Sequence, residues 1–400
     1  MRLQKLPTIL TLLISTPPSA LSASRHLWYK TPAPPTDWEQ GALPVGNGRL
    51  GATIYGGISN EVVTINENSI WSGPLQERTP ENALAALPVS RGLLLDGNIT
   101  QAGGFIPREM NHPVDSMRAY SYFGNLEVGV GHGGGDGDGF PAGILAARFT
   151  ASKKGALSLN ATFSRAADVT SLRASASGNT PLIELSGSSG QPAEENPILY
   201  TGQARFKAKW ATTIELFFDA ETNHRYPGQD KINTEIDRKL TSALRKGFEK
   251  IKDEASKDSS GLLDRASINL GKSSDEIRKL PTDERITRAR SGLDDPELAT
   301  LAWNYGRHML VASSRNTKED LDLRANVQGI WNNKTTAAWG GKYTININTE
   351  MNYWPAGQTN IIETQEPLFD LFKVAHPRAQ ALARDMYNCS RIFIYHNLNL

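Results

Sequence analysis

The segment YTININTEMNYW, residues 343–354, combines amide and aromatic side chains in a pattern that can do chemistry. Asn346 and Asn348 are two residues apart, so in an extended segment their amides point to the same side. Amides donate no catalytic proton at neutral pH, but they can hold a water molecule or a sugar hydroxyl in place. Tyr353 and Trp354 close the run, and adjacent aromatic rings are typical floors of carbohydrate sites. The segment therefore predicts a polar site for a sugar, which would also need carboxylates.

Short apolar runs separated by glycine and serine turns fill the region from residue 23 to about 220. The runs at 49–57 and 60–68 flank a turn and predict a β-hairpin. Four later runs have the same character: 122–130, 145–164, 180–187 and 212–221. Many short strands of this kind predict a β-sandwich.

Helical periodicity replaces this pattern after Tyr226. Apolar residues from Ile236 to Ile251 recur at helical spacing, which predicts an amphipathic helix within a linker. The predicted organisation is a signal peptide, a β-sandwich, a helical linker and a helical domain, at 1–22, 23–225, 226–285 and 286–400.

The helical domain is predicted to begin with a well-capped helix that extends to residue 314. Asp295 is its expected N-cap, and Pro296 occupies its first helical position. Two more helices are predicted on either side of Pro377, at 367–375 and 378–387.

Composition excludes several classes of partner. Lys and Arg total 43 against 42 Asp and Glu, so no basic excess favours binding to nucleic acid or to an anionic membrane surface. The 400 residues suffice for two or three domains. No Cys and His cluster, GxSxG motif or P-loop is present, so neither a metal nor a cofactor is expected. Asp136 and Asp138 resemble calcium ligands, but no repeat accompanies them and a flexible loop is favoured.

The first 22 residues have the features of a secretory signal peptide. Arg2 and Lys5 precede a short apolar core at 8–15, and small residues at 20–23 favour cleavage after Ser22. The core is too short to span a bilayer, so a secreted, extracellular protein is expected. The alternative is a buried N-terminal segment. Glycosylation sequons begin at four asparagines: Asn98, Asn160, Asn333 and Asn388.

Several long runs resemble one enzyme family. LPVGNGRLGATIYGG (43–57) and INENSIWSG (65–73) resemble the N-terminal signature of glycoside hydrolase family 95. DDPELATLAWNYGRHMLVASSR (294–315) and NVQGIWNNKTTAAWGGKYTININTEMNYWPAG (326–357) resemble the start of its catalytic domain. The resemblance implies a fold with an N-terminal β-sandwich, a helical linker, an (α/α)6 toroid and a C-terminal β-domain.

The resemblance also implies an activity. Family members are mostly α-L-fucosidases that act on 1,2-linked α-L-fucosides with inversion, and some prefer α-L-galactosides. A glutamate is the general acid, and an aspartate and two asparagines activate a water. The asparagine pair corresponds to Asn346 and Asn348. Two amide oxygens on one side would orient such a water, and an inverting site leaves about 6.5–9.5 Å between its carboxyl groups. The expected partner is a fucosylated oligosaccharide or polysaccharide.

The family's acid and base follow later in the chain than the residues present here. The chain is therefore expected to be an incomplete member that contains only the first part of the toroid. Glu350, Glu363 and Asp370 are the nearest carboxylates to the asparagines, and a solvated or capping role is favoured for Glu350.

Other residues leave alternatives open. Trp331, Trp339 and Trp354, together with Tyr353, are candidate sugar platforms, but a core role is equally compatible with each tryptophan. Glu67 and Trp71 either approach the sugar or fix an interdomain contact, and the second is favoured.

The sequence also leads to expectations for two histidines and one asparagine. His308 is expected to be packed rather than catalytic, and His396 and Asn397 resemble the end of a family motif without a defined role.

The missing carboxylates motivate a rival hypothesis, a non-catalytic or vestigial carbohydrate-binding protein. A third possibility is a fragment that does not fold stably, because an open toroid would expose an apolar edge.

Overall fold

Two antiparallel β-sheets come first in the chain and helices follow. The computed structural model describes residues 26–34, 36, 38, 41–113, 117–132, 144–151, 153–155, 157–177, 180–190, 196–209, 212–316 and 321–398. The predicted order, an N-terminal β-sandwich and then helices, is confirmed. The predicted signal peptide, and Asp136 and Asp138, lie outside the described residues.

Each sheet has five strands. The first sheet has the order β1 (Leu43–Gly46), β2 (Leu50–Ile54), β3 (Asn60–Glu67), β4 (Gly124–His132) and β6 (Leu157–Ser164). The second has the order β5 (Leu145–Thr150), β10 (Thr213–Thr222), β9 (Ile198–Lys209), β8 (Thr180–Ser189) and β7 (Val169–Ser177). The predicted hairpin is confirmed as β2 and β3, with Ala52 opposite Ile65.

The two faces of β10 bury different partners because successive side chains of a strand alternate between faces. Leu216 and Phe218 point into the core between the sheets. Phe217 points to the opposite face and packs against Ile236 and Leu240 of α3 (Gln229–Leu263). The amphipathic helix predicted after Tyr226 therefore covers the outer face of the second sheet.

The remaining elements carry the candidate site. They are α4 (Asp275–Arg278), α5 (Thr282–Arg290), α6 (Pro296–Ser313), β11 (Tyr343–Thr344), α7 (Ile347–Gln358), α8 (Glu366–Tyr387) and β12 (Asn397–Leu398). The predicted start of α6 is confirmed, because the Asp295 carboxylate accepts a hydrogen bond from the Leu298 amide at 3.0 Å.

The sequence analysis missed two helices within the β-rich region, α1 (Ala83–Leu95) and α2 (Ile99–Met110). Pro88, Gly92 and Pro107 interrupt their patterns, so propensity alone argues against a helix there. Tertiary packing outweighs this cost, since Ala83 is buried against Leu382 and Met386 of α8.

The expectation of two helices separated by Pro377 is wrong, because α8 runs through this proline. Pro377 lies on the exposed face, where water can satisfy the carbonyl whose helical hydrogen bond is lost. The opposite face stays apolar along the whole helix, with Leu371, Ala375, Ala379 and Leu382 buried. Burial of this stripe stabilises one continuous helix.

Candidate active site at the start of α7

Asn346 and Asn348 lie where β11 gives way to α7. Asn346 is the N-cap, with φ −84° and ψ −163°, and its carbonyl accepts the Thr349 amide at 2.9 Å. Asn348 already lies in the first helical turn. The expectation of an extended segment through both residues is therefore wrong. The helix begins early because Thr349, Tyr353 and Ala356 form a buried stripe at helical spacing.

The Asn346 side chain leaves a buried acceptor unused. Asparagine is a preferred N-cap because its side-chain oxygen can bind an amide of the first turn. Asn346 makes no such bond, and its Oδ1 is buried without a partner among the described residues. An unsatisfied buried acceptor costs about 1–3 kcal/mol, so it calls for a reason. The oxygen is free to accept a hydrogen bond from a water or a sugar hydroxyl. Asn348 is half-buried nearby.

Thr344 anchors the segment before this turn. The Thr349 hydroxyl donates to the Thr344 carbonyl, which ties the first turn of α7 back to β11. The Thr344 hydroxyl donates to the Asn397 Oδ1 at 2.9 Å. The Ile345 amide donates to the His396 carbonyl at 2.9 Å. His396 and Asn397 thus brace the segment through β12 pairing.

Arg324 lies beneath the same segment. Its guanidinium is 4.7 Å from the centre of the Tyr343 ring and donates to the Thr344 carbonyl at 3.4 Å. The side chain is fully buried, and no carboxylate among the described residues pairs with it. Burial lowers the pKa of Arg324. The sequence analysis did not single out Arg324, Thr344 or Thr349, because no motif of residue types marks a carbonyl anchor.

The four predicted aromatic platforms divide into two pairs. Trp331 and Tyr353 are only 4% and 3% exposed. The Trp331 indole donates to the Val45 carbonyl at 2.9 Å, and the Tyr353 hydroxyl lies 2.8 Å from the Ser314 hydroxyl. Neither ring offers a face to a ligand, so a platform role fails for this pair. Trp339 and Trp354 are 83% and 56% exposed, so both rings are open to solvent.

The candidate carboxylates do not match the needs of a general acid. Glu350 is exposed on α7, and the Asp370 carboxylate accepts from Lys373 at 2.6 Å. Glu363 pairs with Arg265; burial alone would raise the pKa of Glu363, but the bond from Arg265 outweighs it and lowers the pKa. A general acid at neutral pH needs a raised pKa. No hydrogen bond joins any described carboxylate side chain to either asparagine amide.

The sandwich motif at 43–57 docks the two regions together. The Gly48 amide donates to the Ala312 carbonyl of α6 at 2.7 Å, and a Cβ at Gly46 would lie 2.5 Å from that oxygen. Glycine is thus required for close approach. His308 is packed here as predicted, with Nε2 3.4 Å from the Pro44 carbonyl, and burial lowers its pKa to about 4.

The second sandwich motif, at 65–73, also serves the junction. The Trp71 ring lies 4.8 Å from the ring of Tyr343, which precedes Asn346 by three residues. Glu67 is fully buried and accepts from Arg225 at 2.7 Å. Trp71 therefore contacts the helical region, as the favoured alternative expects, whereas the Glu67 pair with Arg225 lies within residues 23–225.

A cavity of about 240 Å³ opens beside this contact. Its walls include residues from both regions: Trp71, His224, Asp322, Tyr343, Asp370 and Leu371. Burial lowers the pKa of His224, and the Arg225 guanidinium adds to this effect, so both favour the neutral imidazole. The cavity is large enough for a monosaccharide-sized group and offers it mainly apolar walls.

The described residues contain neither a candidate membrane span nor a candidate metal site. None of the helices there has the length and apolar character to cross a bilayer. No group of three or more His, Cys, Asp or Glu side chains there is arranged to hold a metal ion.

Comparisons with known proteins match both regions. Residues 247–400 match the model of the glycosyl hydrolase family 95 catalytic domain, and residues 27–138 match that of the glycosyl hydrolase family 65 N-terminal domain. "Alpha-L-fucosidase 2" of Arabidopsis thaliana is 28% identical over 92% of this chain and 51% of its own length. "Probable alpha-fucosidase A" of Aspergillus niger is 25% identical over 94% of this chain and 54% of its own.

A second protein named "Probable alpha-fucosidase A", from Aspergillus oryzae, is 29% identical over 45% of this chain. The chain spans about half the length of the first two relatives. The helical region of this chain is therefore similar to the catalytic domain of glycosyl hydrolase family 95, and most of the chain is similar to proteins named as fucosidases.

Proposed function

We propose that the protein acts in the hydrolysis of α-L-fucosides, releasing a terminal L-fucose. The unpartnered, buried Oδ1 of Asn346 carries the proposal, because it lies in the region that matches the catalytic-domain model. The names of the relatives support fucose as the sugar. We propose 1,2-linked fucosides as the substrates and inversion as the stereochemical course.

In this mechanism, the side chains of Asn346 and Asn348 hold the attacking water molecule. The amide oxygens of Asn346 and Asn348 share a hydrogen bond from one proton of this water and the carboxylate base accepts the other, which aims a lone pair at the anomeric carbon. A carboxylate base removes a proton from this water, and a carboxylic acid protonates the leaving oxygen on the opposite face of the sugar. We assign both carboxyl groups to the part of the relatives' length that this chain does not span.

Exposed Trp339 and Trp354 are the proposed sugar platforms. We further propose that residues 23–225, 226–285 and 286–400 are the sandwich, the linker and the first part of an (α/α)6 toroid. Secretion through a signal peptide at 1–22 completes the proposal.

The direct test is an assay of the purified 400-residue protein on 2′-fucosyllactose, with free fucose as the readout. Proton NMR at early times distinguishes β-L-fucose, the inverted product, from the retained α anomer. Comparison with 3-fucosyllactose tests the linkage preference.

The role of the amides is tested by Asn346→Ala and Asn348→Ala. We expect each substitution, made at the corresponding asparagine of a full-length relative that carries the acid and base, to reduce fucose release by a factor of about 10² or more, because the water loses a positioning group. Gln358→Ala is the matched control, since it removes an exposed amide from the end of the same helix. Full turnover in both asparagine variants would refute the assignment.

A second candidate function is carbohydrate binding without hydrolysis. It is favoured by the carboxylates, since those nearest the amide pair are exposed or engaged with lysine or arginine. Saturation-transfer NMR with 2′-fucosyllactose separates the two functions. Contact signals from fucose protons without any fucose release would favour the binding function.

A further inference from the structure

A second cavity lies inside the β-sandwich, far along the chain from the α7 segment. Its volume is about 230 Å³. Two facing rows of side chains form its walls. One row is Leu126, Val128 and Val130 of β4, and the other is Leu145, Ala147 and Phe149 of β5.

The cavity follows from the residue types in these rows. Alternate residues of a strand point to the same side, so each row presents three side chains to the opposite sheet. Stacked sheets lie about 10 Å apart, and side chains of ordinary size fill the gap. Ala147 has the smallest side chain in the two rows and so contributes least to filling this gap. Folded cores leave few voids larger than a water molecule, so a space of this size calls for an occupant.

The chemistry of the walls defines the occupant. The cavity also borders Lys30 and Glu61, but both are engaged elsewhere. Lys30 pairs with Glu284 at 2.7 Å. The Glu61 Oε1 accepts from the Tyr55 and Gly56 amides at 3.1 and 3.2 Å, which closes the turn between β2 and β3. The described lining is therefore mainly apolar, and the polar ends of Lys30 and Glu61 already have partners.

We propose that this cavity binds an uncharged, apolar small molecule with one or two rings or an alkyl chain of similar size. A dry cavity of about 150 Å³ accommodates benzene, so about 230 Å³ suits a naphthalene-sized group. The site is independent of the amide pair and of the proposed hydrolase activity. It gives the sandwich a binding role besides its role in docking the helical region.

The test uses the full chain and 2-naphthol, which is uncharged at pH 7 and fluorescent. We expect saturable binding with one molecule per chain. Absence of saturable binding to the wild-type protein would overturn the proposal.

The location is tested by filling the cavity. Ala147→Leu adds three carbons to its wall and should weaken 2-naphthol binding at least tenfold. Ala161→Leu is the matched control, because Ala161 is also a partly buried alanine against the sandwich core but does not line the cavity. Binding by this control should equal that of the wild type.

Val63→Leu serves as a milder cavity-filling variant if Ala147→Leu does not fold, since Val63 also lines the cavity. It should weaken binding while the thermal unfolding midpoint stays at or above that of the wild type. Unchanged binding in the folded cavity variants would place 2-naphthol elsewhere and overturn the proposal.

Discussion

The N-termini of α6 and α7 begin with similar residues but use them differently. At α6, the Asp295 carboxylate caps the Leu298 amide at 3.0 Å and accepts from Ser273 at 2.6 Å. It also forms a buried pair with Arg285 at 2.8 Å. At α7, the Asn346 amide does none of this, and its oxygen is buried and unused.

The comparison shows that α7, unlike α6, lacks the stabilisation that a side-chain N-cap provides. A cap contributes about 1 kcal/mol, and asparagine and aspartate are equally good at it. The residue type at α7 is therefore suitable for capping, yet the side chain points elsewhere. Thr349 takes over the task of holding the first turn, through its hydroxyl bond to the Thr344 carbonyl. The Asn346 oxygen is thereby released for another partner, which is what a binding site requires.

The largest loss of stability should follow from removing the N-cap of α6. Asp295→Ala leaves the buried Arg285 guanidinium without its counter-charge and removes the cap. We expect a loss of about 3–5 kcal/mol in the free energy of unfolding, measured by urea denaturation. Asp295→Asn keeps an oxygen for the Leu298 amide and should cost less. A loss below about 1 kcal/mol in the alanine variant would mean that the α6 terminus contributes little.

Low pH should remove the stabilisation that the Asp295 carboxylate provides. Burial alone would raise the pKa of Asp295, but hydrogen bonds from Arg285 and Ser273 outweigh it and lower the pKa. A carboxylate whose folded pKa is lowered stabilises the protein above its unfolded pKa, about 3.9, and loses this contribution as pH falls through the folded pKa. The stability difference between wild type and Asp295→Asn should thus be constant from pH 7 to about 5 and shrink below about 4. A difference that grows in acid would contradict the sign.

A smaller effect should follow from Thr349→Val, which keeps the shape of the side chain and removes its hydroxyl. Thr349 is buried, and its partner, the Thr344 carbonyl, would keep only the long 3.4 Å bond from Arg324. We expect a loss of about 1–2 kcal/mol in the free energy of unfolding. Thr349→Ser keeps the hydroxyl and is the control. A loss in Thr349→Ser with none in Thr349→Val would show that the methyl group, and not the bond, holds the turn.

The sequence predicted the α6 terminus well and the α7 terminus poorly, for one physical reason. At α6, Asp295 and Pro296 act through local rules of capping and backbone geometry, which residue types reveal directly. At α7, the alternation of Asn346 and Asn348 suggested an extended run. The helix forms there because Tyr353 and Ala356 pack against residues distant in the chain, such as Leu310. Only the tertiary structure brings those residues together.

Long-range packing also explains the other differences. The order of sandwich and helices follows from periodicity, and it was predictable. The helices at 83–110 and the continuous helix through Pro377 depend on mutual burial of α1 and α8, which no local pattern encodes. For the candidate site, residue types identified the amides, but Trp331 and Trp354 have the same side chain. Their opposite exposures arise from contacts with residues far away in the chain, such as Val45.

The smallest change in stability is expected for Asn346→Ala, which tests whether Asn346 is an N-cap or a residue of a binding site. If Asn346 were an ordinary N-cap, Asn346→Ala would lower the free energy of unfolding by about 1 kcal/mol. Because its oxygen is buried without a partner, the variant removes a cost rather than a bond. We expect a change within about 0.5 kcal/mol, or a small gain, in urea denaturation with Gln358→Ala as the control. Fucose contact or release should be lost in the same variant. A protein that loses stability but keeps these signals would make Asn346 a cap, and the difference between the two helix termini would then carry no information about function.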